Sequence, residues 1–293
     1  MLGREQIQIK TPDQVRQMRR AGLVVADIHA ALREAVRPGT TTAELDAVCA
    51  QVISSNGAHS NFLGYHDYPA TVCISVNDEV VHGIPGERVL ADGDLVTFDC
   101  GAYVVDDDGT QWHGDAAFTT VVGGHYASDS DRLLDTTTRE ALWAAIAAVA
   151  RAAAGESTGR GARLNAVGDA VEAVVDAAAR EHGHRLGILE DYVGHGIGTS
   201  MHMAPDVLNY SVSRKGPRLR PGMVLAIEPM LTAGSPRVRE LDDGWTVVTE
   251  DGCRAAQWEH TVAVVPGGVW VLTAPDGGVE GLSAYDIEPR PLR

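Results

Sequence analysis

The sequence predicts an α/β protein of the α+β type, built as two pseudo-symmetric halves in which antiparallel sheet is covered by helices. Three observations predict it. Helix-like and strand-like stretches come in blocks, helices then strands, twice over. His82-Gly83-Ile84 returns as His195-Gly196-Ile197, and Gly93-Asp-Leu-Val-Thr-Phe-Asp99 returns as Gly222-Met-Val-Leu-Ala-Ile-Glu228. Trp112-His113-Gly114-Asp115 and Gln257-Trp258-Glu259-His260 then follow in the same order. Such a repeat points to related halves, roughly 1–125 and 126–293. No Pro/Ser-rich linker separates them, so all 293 residues read as one domain.

Thr11-Pro12-Asp13-Gln14 supplies a cap, a first-turn proline and a capping-box Gln. A helix is expected from there to about Val36, stopped by Pro38-Gly39. Thr41 with Glu44 is a second capping box, and Asn56-Gly57 is its stop. Runs 71–76, 95–102 and 116–122 read as strands between turn residues, with Asp99 ending the apolar run 95–98. Residues 131–154, rich in Ala and Leu, read as a helix closed by Gly155. The run 165–182 carries Val167, Val171, Val174 and Val175 at helical spacing before Gly183. Runs 223–227, 245–249 and 261–265 are the later strands, and the sequence beyond about Gly268 reads as a loose tail.

Composition narrows the function. Lys and Arg total 24 against 40 Asp and Glu, a formal charge of −16 that disfavours nucleic acid and anionic membrane. No apolar run approaches the roughly 18 residues of a membrane span, and MLGREQIQIK lacks the apolar core of a secretion signal. Cys49, Cys73, Cys100 and Cys253 are scattered, without a CxxC pair. A cytoplasmic protein with free thiols is expected.

The acidic residues at strand positions carry the chemistry. Alone, Asp99 reads as an ordinary turn former, but Asp115 lies one hairpin later, and neighbouring strands place facing residues within about 5 Å. Glu228 and Glu259 repeat the arrangement in the second half. Carboxylates brought close together need a cation between them, and near these four only Arg254 offers one in sequence. His195, between two glycines, adds an imidazole; His82 and His202 could reach the same cavity. Oxygen-rich ligation with one imidazole suits two divalent ions of Mn, Fe, Co or Zn. Such a pair, about 3.5–4 Å apart, polarises a carbonyl and generates a nucleophile near neutral pH. No GxSxG, Walker A, HExxH or GxGxxG motif competes.

Taken together, Asn77-Asp-Glu-Val-Val-His82-Gly-Ile-Pro85, Asp99, His113-Gly-Asp115, Gly194-His-Gly-Ile-Gly198, Ile227-Glu-Pro-Met230 and Gln257-Trp-Glu259-His-Thr261 closely resemble the type I methionine aminopeptidases of peptidase family M24. The likeness runs from about Thr11 to Val265. It implies the pita-bread fold and removal of an N-terminal methionine that precedes a small residue. It further implies that Asp115 and Glu259 bridge two metal ions, that Asp99 ligates one, and that His195 and Glu228 ligate the other. His82, His202 and Glu228 would be the catalytic groups. His82 and His202 would face the substrate, and Phe62, Tyr65, Tyr68, Cys73, Met201 and Trp245 would line the methionine pocket. The implied partners are nascent-protein N-termini and transiently the ribosome, for a chain acting as a monomer without nucleic-acid or membrane binding of its own. Two other readings stand beside this one: a proline-specific peptidase of the same fold, such as an Xaa-Pro aminopeptidase or prolidase, and a non-catalytic binding protein. The second would have lost metal ligands, whereas all five are present.

Overall fold

Helix α1 (Pro12–Ala35) begins as its capping box dictates: Thr11 Oγ1 accepts from the Gln14 amide at 3.3 Å and Gln14 Oε1 from the Thr11 amide at 2.9 Å. Thr41 and Glu44 repeat the device at α2 (Thr42–Ser55), which ends at Asn56. A cap of this kind contributes about 1 kcal/mol. The computed structural model describes residues 6–157, 159, 162–214 and 216–292; the first five residues of MLGREQIQIK lie outside them. Val15, Met18, Val25, Ile28 and Leu32 recur along one side of α1 and are all buried.

That side packs on an antiparallel sheet. Strands β1 (His59–Ser60) and β2 (Val72–Val76) share one edge of β4 (Leu95–Val105), and β5 (Gln111–Val121) lies along the other. β3 (Glu79–Val81) turns away to a different sheet. Both long strands exceed the expected 95–102 and 116–122 because Asp106 ties their turn. Its Oδ1 accepts from the amides of Asp108 at 3.0 Å and Thr110 at 2.9 Å, and its Oδ2 accepts from Trp112 Nε1 at 2.7 Å. Asp99 therefore lies inside β4 and does not end a strand.

Helices α3 (Asp129–Ala153) and α4 (Ala166–His182) pack together, and Gly183 closes α4 with a φ of +72°. Short strands follow: β6 (Gly187–Ile188), β7 (Gly194–Gly196), β8 (Met203–Val207), β9 (Val224–Ile227), β10 (Met230–Thr232), β11 (Val238–Glu240), β12 (Val247–Thr249) and β13 (Ala255–Gln257). Then come β14 (His260–Val265), β15 (Gly268–Val271) and α5 (Val279–Ser283). The largest sheet here has the order β15-β14-β9-β7-β8, and smaller ones have the orders β13-β10-β6 and β11-β12-β3. Leu134, Leu142 and Ile146 of α3 and Val171 and Val175 of α4 form one buried cluster with Leu225, Ile227, Val262 and Val264 of β9 and β14. Val81 pairs with Val247, so β3 joins the first block of elements to the second.

The tail is not loose. Beyond Val265 the chain turns at Gly267 (φ +77°), and β15 pairs with β14 from Val265↔Gly268 to Val262↔Val271. Arg19 Nη1 of α1 donates to the carbonyls of Val271 at 3.1 Å, Leu272 at 2.7 Å and Ala274 at 2.6 Å. Gly22 has no side chain to keep Leu272 from α1. The Pro/Gly content marks turns in packed chain, because the apolar residues between them (Val269, Val271, Leu272) are buried.

Candidate metal centre

β4 and β5 pair Asp99 with Ala117 and Gly101 with Asp115, so the two acids are diagonal neighbours on one face, not directly opposite. Gly101, facing Asp115, leaves the space empty; a Cβ there would meet Asp115 Oδ1 at 2.9 Å. His195 is the middle residue of β7 and pairs with Ala226 of β9. Glu228 follows β9 directly, where Pro229 cannot continue a ladder. Glu259 lies between β13 and β14, and its amide donates to the Ala117 carbonyl at 2.9 Å. Thr261 Oγ1 fastens the same junction, donating to the Asp115 carbonyl at 2.7 Å and accepting from its amide at 3.0 Å.

These strands bring together all five residues expected to hold metal. Asp115, His195 and Glu259 are buried and each offers a ligand atom within 4.8 Å of the others. Asp99 and Glu228 line the same cavity. His195 Nδ1 lies 3.0 Å from the Gly196 carbonyl, which can only accept, so Nδ1 carries the proton and Nε2 presents a lone pair. That lone pair lies 3.5 Å from Glu228 Oε1. Burial holds the His195 pKa down to about 3, so the ring is neutral and this is not an ion pair. A neutral imidazole lone pair and a carboxyl oxygen are thus aimed at the same point, the arrangement that two ligands of one cation require.

The carboxyl groups make the same point. Burial pushes Asp99 up to about 7. Burial and the charge of Asp99 hold Asp115 and Glu228 well above the usual range, and burial with the charge of Asp115 does so for Glu259. Among the described residues, Asp99 Oδ1, Asp115 Oδ1 and Glu259 Oε1 are buried without a hydrogen-bond partner. Buried carboxylate oxygens left unpaired are costly unless protonated or bound to a cation. The donor set of four carboxylates and one imidazole fits divalent metal.

The cavity has a volume of about 200 Å³, and Phe62, Tyr65, Tyr68, Cys73, Met201 and Trp245 line it with His82 and His202. The six form one apolar cluster with Ala70 and Ile84. Tyr68 Oη donates to the Gly83 carbonyl at 2.9 Å, and its ring meets Trp245 edge-on at 5.0 Å. His82 sits at φ +61°, a left-handed conformation strained for a non-glycine residue, at the end of β3. Tyr65 Oη lies 2.8 Å from His202 Nδ1, and the His202 ring is 4.4 Å from that of His195.

Sequence reasoning missed three contributors. Gln257 Nε2 donates to Glu228 Oε2 at 3.2 Å, Asn209 Nδ2 donates to the Glu228 carbonyl at 3.0 Å, and Tyr192 packs edge-on against His82 at 5.5 Å. Gln257 lay inside a quoted motif and could have been found; nothing in the sequence marks Asn209 or Tyr192.

Comparison with known proteins agrees with this geometry. Metallopeptidase family M24 matches residues 16–266. A methionine aminopeptidase 1 of Mycobacterium tuberculosis is 48% identical over 272 residues, covering 92% of this chain and 96% of its own. The crystal structure of a Thermotoga maritima methionine aminopeptidase superposes with a TM-score of 0.78 at 36% identity, covering 92% of this chain and 99% of that one. A Pyrococcus furiosus prolidase superposes with a TM-score of 0.63 at 20% identity, covering 91% of this chain and 65% of its own; it shares the pita-bread fold alone. With a metal-fitting cavity at its centre, the chain belongs to metallopeptidase family M24, among the methionine aminopeptidases, which are metal-dependent hydrolases of peptide bonds.

Proposed function

We propose that the chain removes N-terminal methionine from nascent proteins whose second residue is small, using two divalent ions in one cavity. The observation that carries this reading is the meeting of five acidic and imidazole ligands with an apolar, sulfur-containing pocket in that cavity. Asp99, Asp115, His195, Glu228 and Glu259 would hold the ions, with Asp115 and Glu259 shared by both, Asp99 serving one, and His195 and Glu228 serving the other. When bound, the ions supply Lewis acidity toward the scissile carbonyl and a nucleophile at neutral pH.

The chain's own groups do the rest. Phe62, Tyr65, Tyr68, Cys73, Met201 and Trp245 receive the methionine side chain, a thioether suited to a soft aromatic surround. Burial and the charge of nearby His66 lower the His202 pKa. The neutral ring then accepts a hydrogen bond from the Tyr65 hydroxyl at Nδ1 and keeps a donor at Nε2 for the substrate carbonyl. Burial lowers His82 to about 4, leaving it neutral to accept or hand on a proton. The two halves form a single domain around this site, and the chain works as a cytoplasmic monomer that meets its substrates at the ribosome.

A short peptide panel tests the proposal. Met-Ala-Ser should lose its first residue, Met-Leu-Ser should be cut poorly, and Ala-Pro-Ser hardly at all. Preference for Ala-Pro-Ser would favour the proline-specific reading. No cleavage with Mn, Co, Fe or Zn in turn would leave a binding protein.

A further inference from the structure

We infer that residues 6–10, ahead of α1, form a strap that positions His202 through Thr199. The inference rests on the role of His202 proposed above. His202 ends the loop 197–202 that runs from β7, which carries His195, to β8. A loop bearing two reactive rings needs fixing, and much of its fixing comes from outside its own sheet.

Gln8 grips Thr199 at two atoms. Its Nε2 donates to Thr199 Oγ1 at 3.0 Å, and its Oε1 accepts from the Thr199 amide at 3.4 Å. One residue earlier, Gly198 accepts from the His113 amide at 3.0 Å, tying the loop to β5 two residues before Asp115. Lys10 is 5% exposed, and the end of its side chain lies on Gly198; a Cβ at that glycine would collide with Lys10 Cε and Nζ and with Gln8 Oε1. The Lys10 amide donates to the Gly222 carbonyl at 2.8 Å, anchoring the strap two residues before β9. Among the described residues no carboxylate pairs with Lys10, and burial lowers its pKa to about 8. The volume of its buried side chain, filling the hollow over Gly198, is therefore the useful part. Gln8 is then a positioning residue: it touches neither ligand nor pocket, and it fixes the loop three residues before the ring that faces substrate.

The test is a set of variants assayed with Met-Ala-Ser and Mn. Gln8→Ala should lower kcat by about five- to tenfold with KM little changed, while Mn binding by calorimetry and the Tm stay near wild type. Gln8→Glu keeps the acceptor for the Thr199 amide and replaces the Nε2 donor with an oxygen to which the Thr199 hydroxyl can turn and donate, so it should recover most of the loss, and Lys10→Met, which keeps the stem, should be nearly neutral. Hydrogen exchange at amides 196–202 should quicken in Gln8→Ala and stay unchanged elsewhere. In a His202→Ala background, Gln8→Ala should add no further loss. Additive losses, unchanged exchange, or a kcat decline that tracks Tm would overturn the strap's role. If His202→Ala by itself leaves kcat intact, the reading of His202 fails; quickened exchange without a kcat effect would identify that failure separately from failure of the strap.

Discussion

A ligand and a substrate contact can be neighbours in space and still answer differently to truncation. The His195 and His202 rings lie 4.4 Å apart, yet only His195 presents a lone pair beside Glu228. His195→Ala should weaken Mn binding, measured by calorimetry. His202→Ala should keep the metal and slow turnover by roughly 10²-fold or more, the loss expected when a donor to developing transition-state charge is removed. Equal metal loss in both variants would contradict the assignment. At this scale the sequence marked residues that the fold gathers into one cavity. Carboxylates on apolar strands and a histidine between glycines are unusual enough to stand out, because each would be costly if buried without a partner. Gln257 and Asn209, which hold Glu228, were not legible: an amide in a loop carries no sign of what it will face.

Helix α1 shows what the element scale adds. Its start was readable from local chemistry, since a capping box is complete within four residues. Its second duty was not, because Arg19 finds its acceptors about 250 positions away, in the segment read as loose. Local composition sees Pro and Gly; it does not see a partner strand or a guanidinium reaching across. Arg19→Ala should strip several carbonyls of their donor and cost about 1–3 kcal/mol, with limited proteolysis then cutting beyond residue 268 where wild type resists. The same helix sets a pH dependence. His29 Nε2 donates to the Ala116 carbonyl at 3.0 Å, and burial together with Arg33 lowers its pKa to about 3. The unfolded chain protonates this histidine near pH 6.5, so stability is lost as pH falls from about 6.5 toward 3. His29→Gln should flatten that slope in urea unfolding by up to about 1.4 kcal/mol per pH unit. An unchanged slope would remove His29 from the acid response.

At the scale of the whole molecule, the candidate metal site joins parts distant in the chain. Asp99 and Asp115 come from the long hairpin, while His195, Glu228 and Glu259 come from three later segments. Ions bound among them stabilise the folded state alone, by about 2.7 kcal/mol at a free concentration one hundred times Kd. Stripping with EDTA should therefore lower Tm, and returning Mn should raise it with concentration. Burial holds the four carboxyl groups above their usual range, with neighbouring charge adding to it for Asp115, Glu228 and Glu259, so the stripped site takes up protons more readily than free carboxylates do. Rebinding must displace them. Calorimetric heats of Mn binding at pH 7 should accordingly differ between buffers of high and low ionisation enthalpy, reporting net proton release. Glu259→Ala removes one acid and one proposed bridge. It should release fewer protons and bind fewer ions, and two tightly held ions in that variant would overturn the bridging role.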